Sequence, residues 1–382
     1  MNSKQRLQTV LNHETPDRIP FDLGGTPMSG IHEQAYKGLI AALGFSGLEV
    51  EVYDHIQQLA RPHEEILEKL EVDVRAVKAG NPDDFTLKIT DHGEYTQFID
   101  EWGVTWRKPK QGGFYYDMVA HPLEEVIEVA ALEDYPFIDP LQEGRHRSLQ
   151  ETARTYSEAS YGVTHFSLGA GISEMHAWLR GYENYYTDFY FQPEIALYIM
   201  ERITEIKIAY WEKALALSGE YVDVIVEADD LAGQNGPLIS VEMYREFIKP
   251  FHARLFKAVK RFAPHVKIFL HSCGAVRSFI PDFIETGIDI LNPVQKSAAG
   301  MDLAALKQEF GSELVFWGGG VDTQQVFDRG SVEDVRQDVG ESIAALKPGG
   351  GFVFTPVHNT QPTVQPENYL AMWETLKINW RY

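Results

Sequence analysis

The chain has 382 residues, 44% of them hydrophobic, and a formal net charge of -22. The length predicts one large domain or two moderate ones, and the apolar content excludes a disordered protein. The negative charge argues against non-specific binding to nucleic acid or anionic lipid. Without a signal core or a bilayer-spanning segment, and with one cysteine that excludes an intrachain disulfide, we expect a cytoplasmic protein that handles a small molecule.

Eight short apolar runs follow one another along the chain and predict strands. They are "RIPFDLGG" from Arg18, "VDVRAVKAG" from Val72, "THFSLGAG" from Thr164, "YVDVIVEADD" from Tyr221, "VKIFLHSCG" from Val266, "IDILNPVQ" from Ile288, "ELVFWGGGVD" from Glu313 and "GFVFTPVHN" from Gly351. Nearly continuous apolar character is typical of parallel strands that are covered on both faces. Amphipathic segments opened by serine separate the later runs, as helices would. We therefore predict an α/β fold, a (β/α)8 barrel in a single domain over residues 1–382.

Residues 84–122 interrupt this alternation of strands and helices. Polar and apolar residues alternate there and glycines stand at the expected turns, which predicts an inserted flap of antiparallel hairpins. In a barrel, such a flap can cover the mouth. The chain has no glycine-rich or lysine-bearing phosphate loop of the nucleotide-binding kind, so an open nucleotide-binding sheet is disfavoured.

Polar residues collect after the strands, where a parallel barrel places its active site. Acids and carboxamides at these ends predict a polar small-molecule site, although loops are also polar because such residues form turns and caps. The predicted substrate-binding residues are Asp229, Asp230, Gln234, Asn292, Asp322 and Asn359.

His271 and Cys273 are the strongest candidates for chemistry. Residues two apart on a strand point to the same side, and imidazole nitrogen with thiolate sulfur is a pair that zinc favours. A third ligand would come from another strand end, from His358 or from an acid such as Glu227 or Asp229. Two other interpretations stay open at this point: a buried cysteine beside a hydrogen-bonded histidine, and a covalent Cys–His nucleophile pair.

The chain resembles the uroporphyrinogen decarboxylase superfamily over nearly its whole length. The resemblance runs from "RLQTVLNHETPDRIPFDLGG" through "DEWGVTWR" and "LISVEMYREFIKPFHARLFKAVK" to "HSCG", "GIDILNPVQ", "FWGGGVDTQ" and "HNTQPTVQPEN". The arginine-bearing motif of the decarboxylases is missing, since no arginine stands between Arg18 and Arg61. The corrinoid-dependent methyltransferase branch holds zinc through a His-x-Cys pair and a later cysteine. His271 and Cys273 match that pair, and His358 stands where the later cysteine is expected.

The resemblance therefore implies a zinc-dependent methyltransferase with a barrel of this kind. It would move a methyl group between a small molecule (a methoxylated aromatic in an O-demethylation, a methylated amine or a thiol) and a separate corrinoid protein. The chain has no cobalamin-binding Asp-x-His-x-x-Gly signature of its own. Two alternatives are a metal-free decarboxylase that uses Asp22, and a binding barrel without catalysis. A homodimer is a reasonable expectation.

Overall fold

A computed structural model describes residues 1–382 and contains fifteen strands. In chain order these are β1 (Val52–Asp54), β2 (Leu59–Ala60), β3 (Val74–Lys78), β4 (Thr90–Asp91), β5 (Tyr95–Ile99), β6 (Thr105–Pro109), β7 (Asp117–Ala120), β8 (Gly162–Phe166), β9 (Val224–Ala228), β10 (Ala232–Gly233), β11 (Gly236–Pro237), β12 (Lys267–His271), β13 (Ile290–Asn292), β14 (Val315–Trp317) and β15 (Phe352–Val353).

Seven parallel strands form the main sheet, in the order β15-β14-β13-β12-β9-β8-β3. The first apolar run closes this sheet into a barrel. Phe21 pairs in parallel with Phe354, and the Asp22 amide donates to the Phe354 carbonyl at 2.9 Å. On the other side the Asp73 amide donates to the Phe21 carbonyl at 2.8 Å. The eight apolar runs of the sequence occupy the eight strand positions of one barrel, which confirms the predicted fold.

Fifteen α-helices accompany the strands. They are α1 (Ser3–Leu11), α2 (Glu33–Ala42), α3 (Glu64–Lys69), α4 (Ala130–Glu133), α5 (Glu143–His146), α6 (Leu149–Glu158), α7 (Ile172–Arg180), α8 (Tyr182–Phe191), α9 (Pro193–Ser218), α10 (Val241–Met243), α11 (Lys249–Phe262), α12 (Ile280–Thr286), α13 (Leu303–Phe310), α14 (Val332–Leu346) and α15 (Pro366–Asn379). A π-helical turn, Tyr244–Ile248, joins α10 to α11. None of the helices combines the length and the apolar character that crossing a membrane requires.

The barrel separates two apolar clusters. A cluster of 12 buried residues fills the inside and includes Val74, Val226, Phe269 and Trp317. A cluster of 87 buried residues fills the space between the strands and the outer helices. Because successive strand residues alternate between the two sides, residues an even number of places after an inside residue face the barrel axis. This parity decides which side chains reach the mouth.

The flap is a four-stranded antiparallel sheet, β4 to β7, as predicted. The Tyr115 hydroxyl donates to Gln361 in the loop after β15. On the other side the Trp106 ring meets the Trp178 ring of α7 edge-on, with centroids 4.9 Å apart. The flap therefore joins two parts of the rim and lies over the mouth.

His165, a buried residue of β8, predicts that the stability of the fold is sensitive to acid. Burial, with nearby His146, lowers the pKa of His165 to about 3, and its Nε2 pairs with the Tyr210 hydroxyl at 2.7 Å. The unfolded chain binds a proton at this histidine below about pH 6.5, whereas the folded chain does not, so stability falls as the pH drops. Between pH 7 and pH 5 this costs roughly 2 kcal/mol.

Between pH 7 and pH 5, the free energy of unfolding of the His165→Gln variant is expected to fall by roughly 2 kcal/mol less than that of the wild type. Urea denaturation at the two pH values measures it. The matched control is His92→Gln, at an exposed histidine of the flap. An identical pH dependence in the wild type and in the His165 variant would contradict the prediction.

Candidate metal site

Three side chains meet at the mouth where β9 and β12 end. Asp230, His271 and Cys273 each bring one possible ligand atom, and these atoms all lie within 4.8 Å of one another. His271 is the last residue of β12 and pairs in register with Ala228 of β9. The parity set by Val226 and Phe269 turns all three side chains toward the axis. We call Asp230, His271 and Cys273 the ligand trio.

Distances within the trio place its polar atoms around one point. Nε2 of His271 lies 3.6 Å from Oδ1 of Asp230, and Sγ of Cys273 lies 3.4 Å from Oδ2. The backbone amide of Cys273 also donates to Oδ1 of Asp230 at 2.9 Å, which fixes that carboxylate over the start of the loop after β12. The carboxylate is therefore held beside the sulfur and the imidazole by the chain itself.

The orientation of the imidazole is set by the next strand. Nδ1 of His271 donates to Oδ1 of Asn292 at 2.6 Å, and Nδ2 of Asn292 donates to the Trp317 carbonyl at 2.7 Å. Since the carboxamide nitrogen is occupied by that carbonyl, its oxygen must accept from the ring. This bond selects the tautomer of the neutral ring in which Nε2 carries the lone pair, and Nε2 is turned toward Asp230. An outer-shell acceptor of this kind is typical of metal-binding histidines.

The chemistry of these donors fits a zinc ion. One imidazole nitrogen, one sulfur and one carboxylate oxygen are ligands that zinc accepts, and three protein ligands leave one position open. Without a cation the thiol stays protonated, because burial and then the charge of Asp230 raise the pKa of Cys273. A bound cation reverses this balance, since a coordinating thiol is deprotonated. Cys273 is also only partly buried, unlike a cysteine that fills a core.

His358 stands next to the trio. Its ring centroid lies 5.5 Å from that of His271. Burial first, and His271 second, lower the pKa of His358 to about 4, so the ring is neutral at pH 7. The same residue lines a cavity of about 540 Å³, whose other walls include Phe114 of the flap, Gln324, Gln325 and Gln361. The cavity has room for a small polar molecule beside His358, the residue next to the trio.

Glu174 is a site residue that the sequence reasoning missed. It lies in the first turn of α7, and burial raises the pKa of its carboxyl well above the usual range, followed by the charges of Asp230 and Asp229. Tyr182 is half exposed on the same rim; burial, then Glu174 and Asp230, raise its pKa to about 12. The position of "ISEMH" directly after the strand "THFSLGAG" was the signal that could have identified Glu174.

Glu227, named from the sequence as a metal ligand, has its carboxylate engaged elsewhere. It accepts from Nζ of Lys207 at 2.8 Å and from Nε1 of Trp211 at 2.6 Å, both on α9. The parity of β9 turns Glu227 away from the axis, because it is one residue after Val226. The structure therefore does not bring Glu227 to the trio.

Asp229 likewise points out of the barrel. Its carboxylate accepts from the backbone amides of Ser173 at 2.9 Å and Glu174 at 2.7 Å, at the start of α7. Nε2 of His252 also bonds to it at 2.7 Å. Asp229 thus caps the helix that carries Glu174 and positions that side chain beside the trio, rather than facing the cavity itself.

The other predicted substrate-binding residues hold the loops of the rim. Oε1 of Gln234 accepts from Gln295 at 2.7 Å. Oδ1 of Asp322 accepts from the backbone amide of Gln324 at 2.8 Å, in the loop after β14. Asn359 donates at 2.6 Å to a carboxamide from the segment between β1 and β2. The structure places these three side chains around the mouth and outside the trio. Of the predicted substrate-binding set, it brings Asn292 into contact with His271, and it places Asp230 in the trio itself.

Comparison with known proteins gives one family and two relatives. The sequence model of the family described as uroporphyrinogen decarboxylase (URO-D) matches residues 115–378. A methylated-thiol–coenzyme M methyltransferase from Methanosarcina mazei is 32% identical over 120 residues, which are 31% of this chain and 27% of that protein. The matched segment therefore spans about a quarter of that relative.

Similarity in structure extends over the whole chain. A solved structure described as a methyltransferase from Methanosarcina mazei superposes with a TM-score of 0.66, at 17% sequence identity, and the match covers 99% of each chain. At this identity the match establishes the fold.

Proposed function

The chain belongs to the uroporphyrinogen decarboxylase (URO-D) family, and we propose that within it this protein is a zinc-dependent methyltransferase. It moves a methyl group between a small molecule and a corrinoid carried on a separate protein. The ligand trio is the observation that carries the proposal, because a nitrogen, a sulfur and a carboxylate oxygen converge on one point at the barrel mouth. The names of the two relatives from Methanosarcina mazei support the same reaction class.

The ligand trio would hold the metal, with Asn292 fixing the imidazole. When bound, zinc supplies a Lewis acid that stabilises negative charge on the heteroatom from which, or to which, the methyl group is transferred. Burial, and then the neighbouring carboxylates, raise the pKa of the Glu174 carboxyl beside this point, which favours its protonated form. In that form the carboxyl can donate a hydrogen bond to a heteroatom that gains charge.

The cavity beside His358 is the proposed route for the small molecule. Its volume of about 540 Å³ fits a molecule of one substituted ring or a comparable chain. The flap is bonded through Tyr115 to Gln361, a residue that lines this cavity. A methoxylated aromatic, a methylated amine and a thiol all remain within the proposal.

The decarboxylase alternative has less support from the barrel interior. Asp22 would have to serve the reaction, but its Oδ2 accepts from Nε1 of Trp317 at 2.9 Å and its Oδ1 from the Gly25 amide at 2.8 Å. Burial raises the pKa of Asp22 to about 6. The oxygens of this carboxylate thus accept hydrogen bonds that hold the first apolar run of the chain in the barrel wall.

The proposed function is tested on the purified full chain by metal analysis and by methyl transfer. We expect about one zinc per chain after incubation with zinc and removal of the excess. We also expect the zinc-loaded protein to demethylate a methoxylated aromatic or a methylated amine with cob(I)alamin, or to methylate a thiol with methylcobalamin. A folded chain that takes up no zinc, or that is loaded and inactive with all three donor and acceptor classes, would contradict the proposal.

Asn292→Leu tests the orientation of His271. The change keeps the side-chain size and removes the acceptor for Nδ1, so zinc is expected to bind about 10- to 100-fold more weakly. Competition with a chromophoric chelator measures the affinity. Asn368→Leu is the matched control, since that buried carboxamide bonds to the carbonyls of Phe327 and Gly330 and not to a trio residue. Equal zinc affinity in the wild type and the Asn292 variant would show that the imidazole needs no such partner.

A further inference from the structure

A lysine without an acceptor faces the barrel interior on the opposite side from the loop after β12. Lys78 is the last residue of β3, four places after Val74, and Val74 belongs to the cluster inside the barrel. Its side chain therefore points toward the axis at the mouth. Burial lowers the pKa of Lys78; the charges of Arg61, Glu51 and Asp54 act on it from a distance, with no hydrogen bond or ion pair. A partly buried lysine without a counter-charge is unusual, the more so in a chain of net charge -22.

Next to this lysine lies a buried phenol hydroxyl that has no partner. The hydroxyl of Tyr53 is out of contact with solvent and makes no hydrogen bond. Nζ of Lys78 lies 4.8 Å from the centre of the Tyr53 ring, and the guanidinium of Arg61 lies 5.9 Å from it. Arg61 also bonds to Glu51 at 3.0 Å, so its charge is already compensated and Lys78 is the better candidate to bind an anion. A buried donor without an acceptor is costly and calls for an occupant that supplies one.

A small cavity lies among these groups. It has a volume of about 60 Å³, and its lining includes Tyr53, Arg61, Lys78 and Phe166. A cavity holds one water for about every 10–15 Å³ of this kind of volume, so the space admits several waters or one carboxylate group. A carboxylate is the better occupant, since it accepts from the phenol and neutralises the ammonium, whereas water leaves the charge of Lys78 uncompensated.

We propose that the pocket formed by Tyr53, Lys78 and Arg61 binds the carboxylate of the small molecule, which makes the substrate an acid such as a methoxylated aromatic carboxylate. This inference rests on the proposed function for the other end of the molecule. Asp54 and Asp22 are the buried acids near Tyr53. The carboxylate of Asp54 accepts from Gln57, and that of Asp22 accepts from Trp317 and Gly25, so neither is an acceptor for the Tyr53 hydroxyl.

The spacing of the strands fits one ring between the two ends. Strands β3, β8, β9 and β12 are consecutive in the sheet, so three spacings of about 4.8 Å separate Lys78 from His271 along the wall. Both side chains point toward the axis, and we take the remaining gap as the place of the ring. Phe166 pairs in register with Lys78 and lines the pocket, and it offers an apolar face along this path.

The experiment compares 4-methoxybenzoate with its neutral counterpart 4-methoxybenzamide, titrated by calorimetry into zinc-free and zinc-loaded full chain. The wild type is expected to bind the acid at least tenfold more tightly than the amide in both forms. Lys78→Met is expected to reduce this preference to less than threefold. Tyr53→Phe keeps the ring, loses the hydroxyl and is expected to weaken acid binding about fivefold with little effect on the amide.

Lys110→Met is the control, because this lysine of the flap is paired with Asp91 at 2.6 Å on the surface. Its acid preference should match that of the wild type. A preference seen only with zinc would mean that the metal binds the carboxylate, and equal affinities or no saturable binding would mean that water fills the pocket; each result overturns the proposal. The readout is ligand binding and needs no corrinoid, so it is independent of the methyl-transfer assay. If the protein preferred the acid but transferred no methyl group, the proposed function would be wrong and the carboxylate pocket would stand.

Discussion

Replacement of His271 by alanine is expected to remove zinc and methyl transfer together. The change deletes the ligand nitrogen and leaves Asp230 and Cys273, and two ligands do not retain zinc in a catalytic site. We expect affinity for zinc to fall by more than the roughly 10- to 100-fold that the loss of an outer-shell partner costs. Metal analysis by plasma mass spectrometry and the methyl-transfer assay, run on one preparation, measure both effects.

His252→Gln is the matched control for the loss of an imidazole. His252 is buried and bonds to Asp229, so its replacement disturbs the neighbouring helix cap without touching the trio. We expect that variant to keep zinc. Full methyl transfer by a metal-free His271→Ala protein would show that the trio is not the catalytic centre, and retention of zinc by this variant would place the metal elsewhere.

The barrel could be predicted because its strands are covered on both faces. Runs such as "YVDVIVEADD" and "VKIFLHSCG" are apolar for that reason, and their number and order fixed the fold class before any contact was known. Because residues on both faces of such a strand are apolar, the sequence does not show which side chains point into the barrel and which point out. Asp229 and Asp230 are neighbours directly after β9 and point to opposite sides of the barrel wall, and only their contacts in the fold show that Asp230 is the one that faces His271.

The sequence also could not reveal which carboxylates have partners across the fold. Glu227 ends an apolar run, like a ligand, yet its cation is Lys207, 20 residues earlier on α9. Lys207 lies within α9, a helix of 26 residues, and only the fold brings that helix and β9 together. His358, by contrast, was correctly placed near His271, since both follow strands of one barrel; its role as a ligand stays a prediction.

Replacement of Lys207 by methionine is expected to destabilise the barrel strongly. The ammonium is fully buried and bonds to Glu227 at 2.8 Å and to Ser167 at 2.7 Å. The methionine leaves a buried carboxylate with Trp211 as its remaining donor. Breaking a buried pair in this way costs about 3–5 kcal/mol. Urea denaturation at pH 7 measures the free energy of unfolding.

A second change separates the cost of the unpaired charge from the cost of lost packing. In the double variant Lys207→Met/Glu227→Gln the carboxylate is replaced by a neutral amide, so most of the loss is expected to be recovered. Zinc content should stay at the wild-type level in Glu227→Gln, since this carboxylate belongs to the ion pair with α9. If Glu227→Gln instead lost zinc while remaining folded, Glu227 would have to leave Lys207 on metal binding, and the interpretation of this pair as structural would be wrong.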